Sequence, residues 1–126
     1  MQFSELPLHP FILQALTEEK YHTPTLVQEK AIPVILKKKD VVVAAQTGTG
    51  KTAAFALPII HQLYREDAEG KRDIKIKALV LIPTRELAQQ IEENFKKYLK
   101  YTNLTTLAVY GGVSLEPQKE VLKVGV

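Results

Sequence analysis

Ala45-Gln46-Thr47-Gly48-Thr49-Gly50-Lys51-Thr52 is the stretch whose reading decides the fold. An apolar run at 41–45 leads into it as a strand does, and a mostly apolar segment at 51–64 leads out of it as a buried helix does. Gly48 and Gly50 can take positive φ without a Cβ penalty, so consecutive backbone N–H groups can converge on one anion at the positive end of the following helix. The stretch thus reads as a phosphate-binding loop. Lys51 would set a cation against the β and γ phosphates of a nucleotide, and the Thr52 hydroxyl would be a magnesium ligand. Ala45 departs from the general pattern, which has Gly in that first place. The alternative is a Gly/Thr-rich turn with a solvated Lys51. A plain turn, however, needs neither two glycines around a Thr nor a Lys-Thr pair opening an apolar helix.

Composition sets the outer bounds. The 126 residues allow one domain at most, and 45% hydrophobic with 25% charged residues is ordinary for a globular chain. No apolar run approaches the roughly 20 residues that a membrane span needs. The amino terminus lacks a basic segment followed by an apolar one, and there is no cysteine for a disulfide or a thiolate metal site. A cytoplasmic chain is expected. The net charge of +3 is compatible with a polyanionic partner without pointing to one, and Lys37-Lys38-Lys39 reads as a solvated loop.

Working outward from the loop, Pro10 suits a first helical position ahead of Ile12, Leu13, Ala15 and Leu16. A second helix is predicted over 25–36, with Pro33 kinking it or ending its regular part. Thr25 and Gln28 stand at the spacing of a reciprocal capping box. That capping role does not exclude a second, in which the Gln28 amide reads an adenine edge with Tyr21 stacking on the ring. The helix after the loop is apolar nearly all round, with Pro58 bending it, and 65–77 reads as an exposed charged connection.

A second apolar strand is predicted at 78–82, followed by a helix that Thr84 caps and Glu86 favours electrostatically. Leu87, Ile91, Phe95 and Leu99 mark its buried face, while Glu92 with Lys96 and Glu93 with Lys97 pair on the other. A third strand at 104–110 runs into Gly111-Gly112 and a helical segment at 114–123. The order is α/β, implying parallel strands with helical crossovers and ligands at the carboxyl ends of the strands. Residues 45–52, 83–85 and 111–112 each follow a strand, so all three should share one rim.

With those residues placed, the chain resembles the DEAD-box family of ATP-dependent RNA helicases over essentially its whole length. Phe3 with 21–28 is similar to the family's adenine-reading Q motif and its upstream aromatic. Residues 45–52 are the family's form of the phosphate loop, Ala45 included. Pro83-Thr84-Arg85-Glu86-Leu87-Ala88 and Gly111-Gly112 match segments that contact the RNA backbone. Lys20 stands where the family usually has Gly.

The resemblance implies a RecA-like P-loop NTPase domain, a parallel sheet with helices on both faces. Residues 1–126 would be the amino-terminal part of the first of two such domains, incomplete at the carboxyl end. It implies ATP and Mg2+ held by Phe3, Tyr21, Gln28, Ala45, Gln46, Thr47, Gly48, Thr49, Gly50, Lys51 and Thr52, with Lys51 and Thr52 serving catalysis and Thr52 the metal. RNA would lie on Pro83, Thr84, Arg85, Gly111 and Gly112 without sequence preference, and the second RecA-like domain would be the intramolecular partner. Taken alone, Arg85 reads equally as a surface ion-pair partner and Gly111-Gly112 as a turn.

Hydrolysis also needs an acid after a strand, to hold magnesium and orient water. Pro83 follows the second strand and Gly111 the third, while Asp40 lies at the wrong end of the first. The 126 residues alone are therefore expected to bind nucleotide without turning it over. A non-catalytic RNA- or protein-binding module with a relic loop is the alternative. A nucleotide-driven motor acting on DNA is a third reading.

Overall fold

The computed structural model describes residues 1–68 and 75–126. A 3-10 turn, Phe3–Glu5, precedes five helices: α1 (Pro10–Glu18), α2 (Leu26–Leu36), α3 (Lys51–Ala68), α4 (Arg85–Tyr98) and α5 (Leu115–Val124). The predicted starts hold for local chemical reasons. Pro10 opens α1, where its missing N–H goes unused, and Thr84 caps α4 by accepting the Leu87 N–H at 3.2 Å. Ser114 precedes α5 as its N-cap residue.

Helix α3 is the hub and packs against α1, α2 and α4. Its Ala53, Ala54, Ala56, Leu57 and Ile60 are buried, as its nearly all-round apolar sequence requires. Ile12 and Leu16 from α1 and Ile32 from α2 meet it, each fully enclosed, and Phe95, Tyr98 and Leu99 close the α4 side. Each enclosed aliphatic side chain contributes about 1.5–3 kcal/mol. Polar ties fix the relative positions of the helices. Gln62 donates to the Ile35 carbonyl at 2.8 Å, supplying a partner to the end of α2, and the His61 Nδ1 accepts the His9 N–H at 3.0 Å.

Three expectations are corrected. Of the two roles expected of Pro33, ending the regular part of α2 is not seen, since the helix continues to Leu36; α2 lies against α3, and that packing outweighs one missing backbone bond. The exposed connection expected at 65–77 begins later, because α3 runs to Ala68, and 69–74 fall outside the described residues. Lys97 turns to Glu19 of α1 at 4.0 Å, whereas Lys96 does pair with Glu92 at 3.0 Å.

The expected sheet is not seen as paired strands. Among the described residues the runs 41–45, 78–82 and 104–110 carry no strand ladder, and no backbone–backbone hydrogen bond joins them. Nor are the runs at 41–45 and 78–82 covered on both faces. Val42 is 98% exposed between the half-covered Val41 and Val43, and Leu79 and Leu81 are exposed on either side of Val80, which packs on the core. That alternation is the signature of an extended chain with one face on a helical layer and the other bare. Helix α5 has no buried residue and packs on none of the other helices, so it adds no second layer.

Candidate functional site

The phosphate loop is held open by its own atoms and by α2. Gly48 and Gly50 have φ of 84° and 82°, the left-handed region that two glycines were expected to supply. The Thr49 hydroxyl donates to the Gln46 carbonyl at 2.6 Å, and the Lys51 ammonium reaches back to the Ala45 carbonyl at 2.7 Å. Lys51 is solvent-exposed and opens α3, so its charge stands where the first unpaired N–H groups of that helix emerge.

Gln28 is buried and both ends of its amide are engaged. Its Oε1 accepts the Thr25 N–H at 2.9 Å, the capping-box bond, while its Nε2 donates to the Gly50 carbonyl at 3.1 Å. That carbonyl also accepts the Ala54 N–H at 3.2 Å, so its two lone pairs serve α2 and α3 together. The Thr25 hydroxyl donates to the Thr49 carbonyl at 2.7 Å. Gly50 is required twice over, since a Cβ there would come within 2.3 Å of the Gln28 Nε2. Nothing in the sequence announces this clamp, whose members stand 22 and 24 residues apart. At Gly48 an added Cβ would meet nothing within 4 Å, so the space beside it is open.

The segment ahead of α2 is anchored from below. Phe3 is buried in the core and its N–H donates to the His22 carbonyl at 2.9 Å, so it braces 21–28 rather than facing solvent. Tyr21 is 44% exposed and its side chain lies beside that of Tyr98. Burial, then the nearby Tyr21, pushes the Tyr98 phenol well above its ordinary pKa. Lys20 sits at φ 61°, the left-handed conformation for which Gly is the usual residue. The departure noted from sequence is therefore a point of backbone strain.

The second cluster forms at the start of α4. The Arg85 guanidinium lies over the Tyr110 ring, 5.9 Å from its centroid, and forms no ion pair among the described residues. Gly112 has φ of 81°, and a Cβ on it would lie 3.3 Å from the Arg85 Nη1. Arg85 and Gly112 thus come together, as expected of 83–85 and 111–112, and Gly111 is exposed beside them. Pro83 and Thr84 are exposed at the entry to α4. No described contact joins this cluster to residues 45–52. Tyr110, Gln89 and Gln118, which hold it, carried no sequence signal.

Among the described residues no group of three or more His, Asp or Glu side chains is placed to hold a metal, and no helix is long and apolar enough to cross a membrane. A left-handed glycine loop that opens a buried helix on a lysine has the local geometry of the phosphate-loop class. Within that class the family is shown directly: the DEAD/DEAH box helicase family model matches residues 25–125, and the chain belongs to this family.

It is 47% identical over 121 residues to the DEAD-box ATP-dependent RNA helicase RhpA of Helicobacter pylori, covering 96% of this chain and 23% of that protein. It is 43% identical to the ATP-dependent RNA helicase RhlB of Shewanella denitrificans, covering 99% of this chain and 29% of the relative. The chain therefore spans about a quarter of the curated relatives it matches. The crystal structure of the RNA helicase Prp28 from Chaetomium thermophilum bound to ADP superposes with a TM-score of 0.85 at 38% identity, over 98% of this chain and 30% of that one. The likeness supports the RecA-like fold even where the runs carry no ladder.

Proposed function

We propose that the chain is the amino-terminal part of the first RecA-like domain of an ATP-dependent RNA helicase, binding ATP at 45–52 and RNA at the start of α4. The observation that carries this reading is the loop itself, with Gly48 and Gly50 left-handed and Lys51 at the head of α3. Phosphate oxygens would receive the N–H groups of the loop and the helix start, and the Lys51 ammonium would exchange a neutral carbonyl for a charged acceptor. The Thr52 hydroxyl would hold Mg2+, which supplies charge neutralisation at the β and γ phosphates.

Gln28 keeps one Nε2 hydrogen and one Oε1 lone pair beyond its two bonds, enough to read the donor and acceptor of an adenine edge. Tyr21, half exposed, would pack on the ring, and Phe3 would support both from beneath. On the other cluster Arg85 offers a planar fork of donors to a phosphate, with Pro83, Thr84, Gly111 and Gly112 shaping the backbone around it. Such contacts hold position and not sequence, so binding should be unspecific and weaken with salt.

The parent protein would couple ATP to the separation of short duplexes through a second RecA-like domain. The 126 residues alone lack the acid after a strand, so they should bind nucleotide and release no phosphate. Titration with labelled ADP tests the first point. A saturable signal is expected, falling at least tenfold in affinity in Lys51→Ala; a flat titration would return the chain to a scaffold with a relic loop. Sustained RNA-stimulated phosphate release by this chain would overturn the second point.

A further inference from the structure

We infer that Tyr110 is a positioning residue for RNA, holding the Arg85 guanidinium by its face so that its N–H edge remains available to a phosphate. The inference rests on the RNA-binding reading of Arg85 and goes beyond it. Arg85 and Gln89 stand one turn apart on α4 and therefore on the same face. Both engage Tyr110: Arg85 lies over the ring at 5.9 Å, and the Gln89 Nε2 donates to the phenol oxygen at 2.9 Å. The helix grips one aromatic side chain at two points, which fixes the plane on which the guanidinium rests.

The backbone of Tyr110 is held as well. Its N–H donates to the Gln118 Oε1 at 3.2 Å, and the Gln118 Nε2 donates to the Ser114 carbonyl at 3.0 Å. On the α4 side, Glu92 accepts the Ala108 N–H at 2.9 Å. The segment carrying the ring is thus pinned to α4 and to the start of α5, and Gly112 leaves space for the Arg85 Nη1. A guanidinium meets an aromatic ring through its flat face and an oxyanion through its edge, so the two contacts do not compete. Ordering the long Arg85 side chain before RNA arrives removes that ordering from the binding step.

The test is a double-substitution cycle on the 126-residue chain, with each variant first checked for unchanged helicity by circular dichroism. A fluorescein-labelled oligouridylate serves as the probe, titrated at two salt concentrations. Tyr110→Leu should weaken binding about two- to fivefold, the range of an exposed cation–π contact. Tyr110→Phe keeps the ring and should stay within about twofold of the original. In an Arg85→Ala background, Tyr110→Leu should change nothing further. An equal loss with and without Arg85, or Tyr110→Phe no better than Tyr110→Leu, would overturn the inference.

If Arg85→Ala itself leaves RNA binding intact, the RNA reading of Arg85 fails, and so does a role for Tyr110 in RNA binding. The geometry is then judged separately by NMR. Ring-current shifts of the Arg85 Hδ protons should be present in the original chain and in Tyr110→Phe, and absent in Tyr110→Leu. Unshifted Hδ protons in the original chain would show that the ring does not hold Arg85 at all.

Discussion

The side chains sealing the helical centre and the bare ones of the apolar runs at 41–45 and 78–82 are the same kinds of residue, yet their surroundings are opposite. Ile12, Leu16, Ile32, Leu57 and Ile60 are at most 1% exposed, whereas Val42, Leu79 and Leu81 are 98%, 79% and 86% exposed. The difference lies in the backbone. A helix satisfies its N–H and C=O groups internally and is therefore ready to bury a face against any complementary neighbour. An extended run must first find a partner for its backbone, and here none is joined to another. Hydrophobicity decides what is willing to be buried, and hydrogen bonding decides what is ready to be.

The most severe way to probe that contrast is Leu57→Ala in α3. Deleting a fully enclosed side chain at the hub should cost about 2–5 kcal/mol, measured as a lower urea midpoint, with little relief by collapse because α1, α2 and α4 all lean on this helix. Next comes the hinge between the two regions, Gln28→Ala, which leaves the Thr25 N–H and the Gly50 carbonyl each one partner short. A loss of about 1–3 kcal/mol is expected, together with weaker ADP binding, since the clamp on the loop goes with it. A smaller effect of opposite sign is expected of Lys20→Gly. Relief of the left-handed backbone should raise stability by up to about 1 kcal/mol, after allowing for the greater freedom of Gly in the unfolded chain. The least effect belongs to Leu81→Gln, within about 0.5 kcal/mol by denaturation, with reduced self-association in light scattering. A loss at Leu81 comparable with that at Leu57 would erase the contrast.

Much of the helical layer was legible because its signals are local. Pro10, Thr84 and Ser114 marked helix starts, and the capping pair Thr25 and Gln28 fixed the beginning of α2. The glycine loop was legible for the same reason, since Gly48 and Gly50 state their backbone requirement in their own chemistry. The clamp from Gln28 to Gly50 was not legible, because it depends on how α2 is laid against α3. The seat of Arg85 on Tyr110 escaped notice for a similar reason, 25 residues of chain separating ring and cation. The apolar runs were equally plain in the sequence, but composition does not disclose which backbone partners a run takes.

The crowding between Gly50 and the Gln28 amide makes these two positions interdependent for protein engineering. Any bulkier residue in the loop's last glycine position demands a shorter side chain on α2, which would surrender the amide that ties α2 to the loop. On the proposed nucleotide-binding reading, redesign of the loop at Gly50 would therefore disturb the Gln28 amide as well, and a library that randomises Gly50 alone would sample mostly broken combinations.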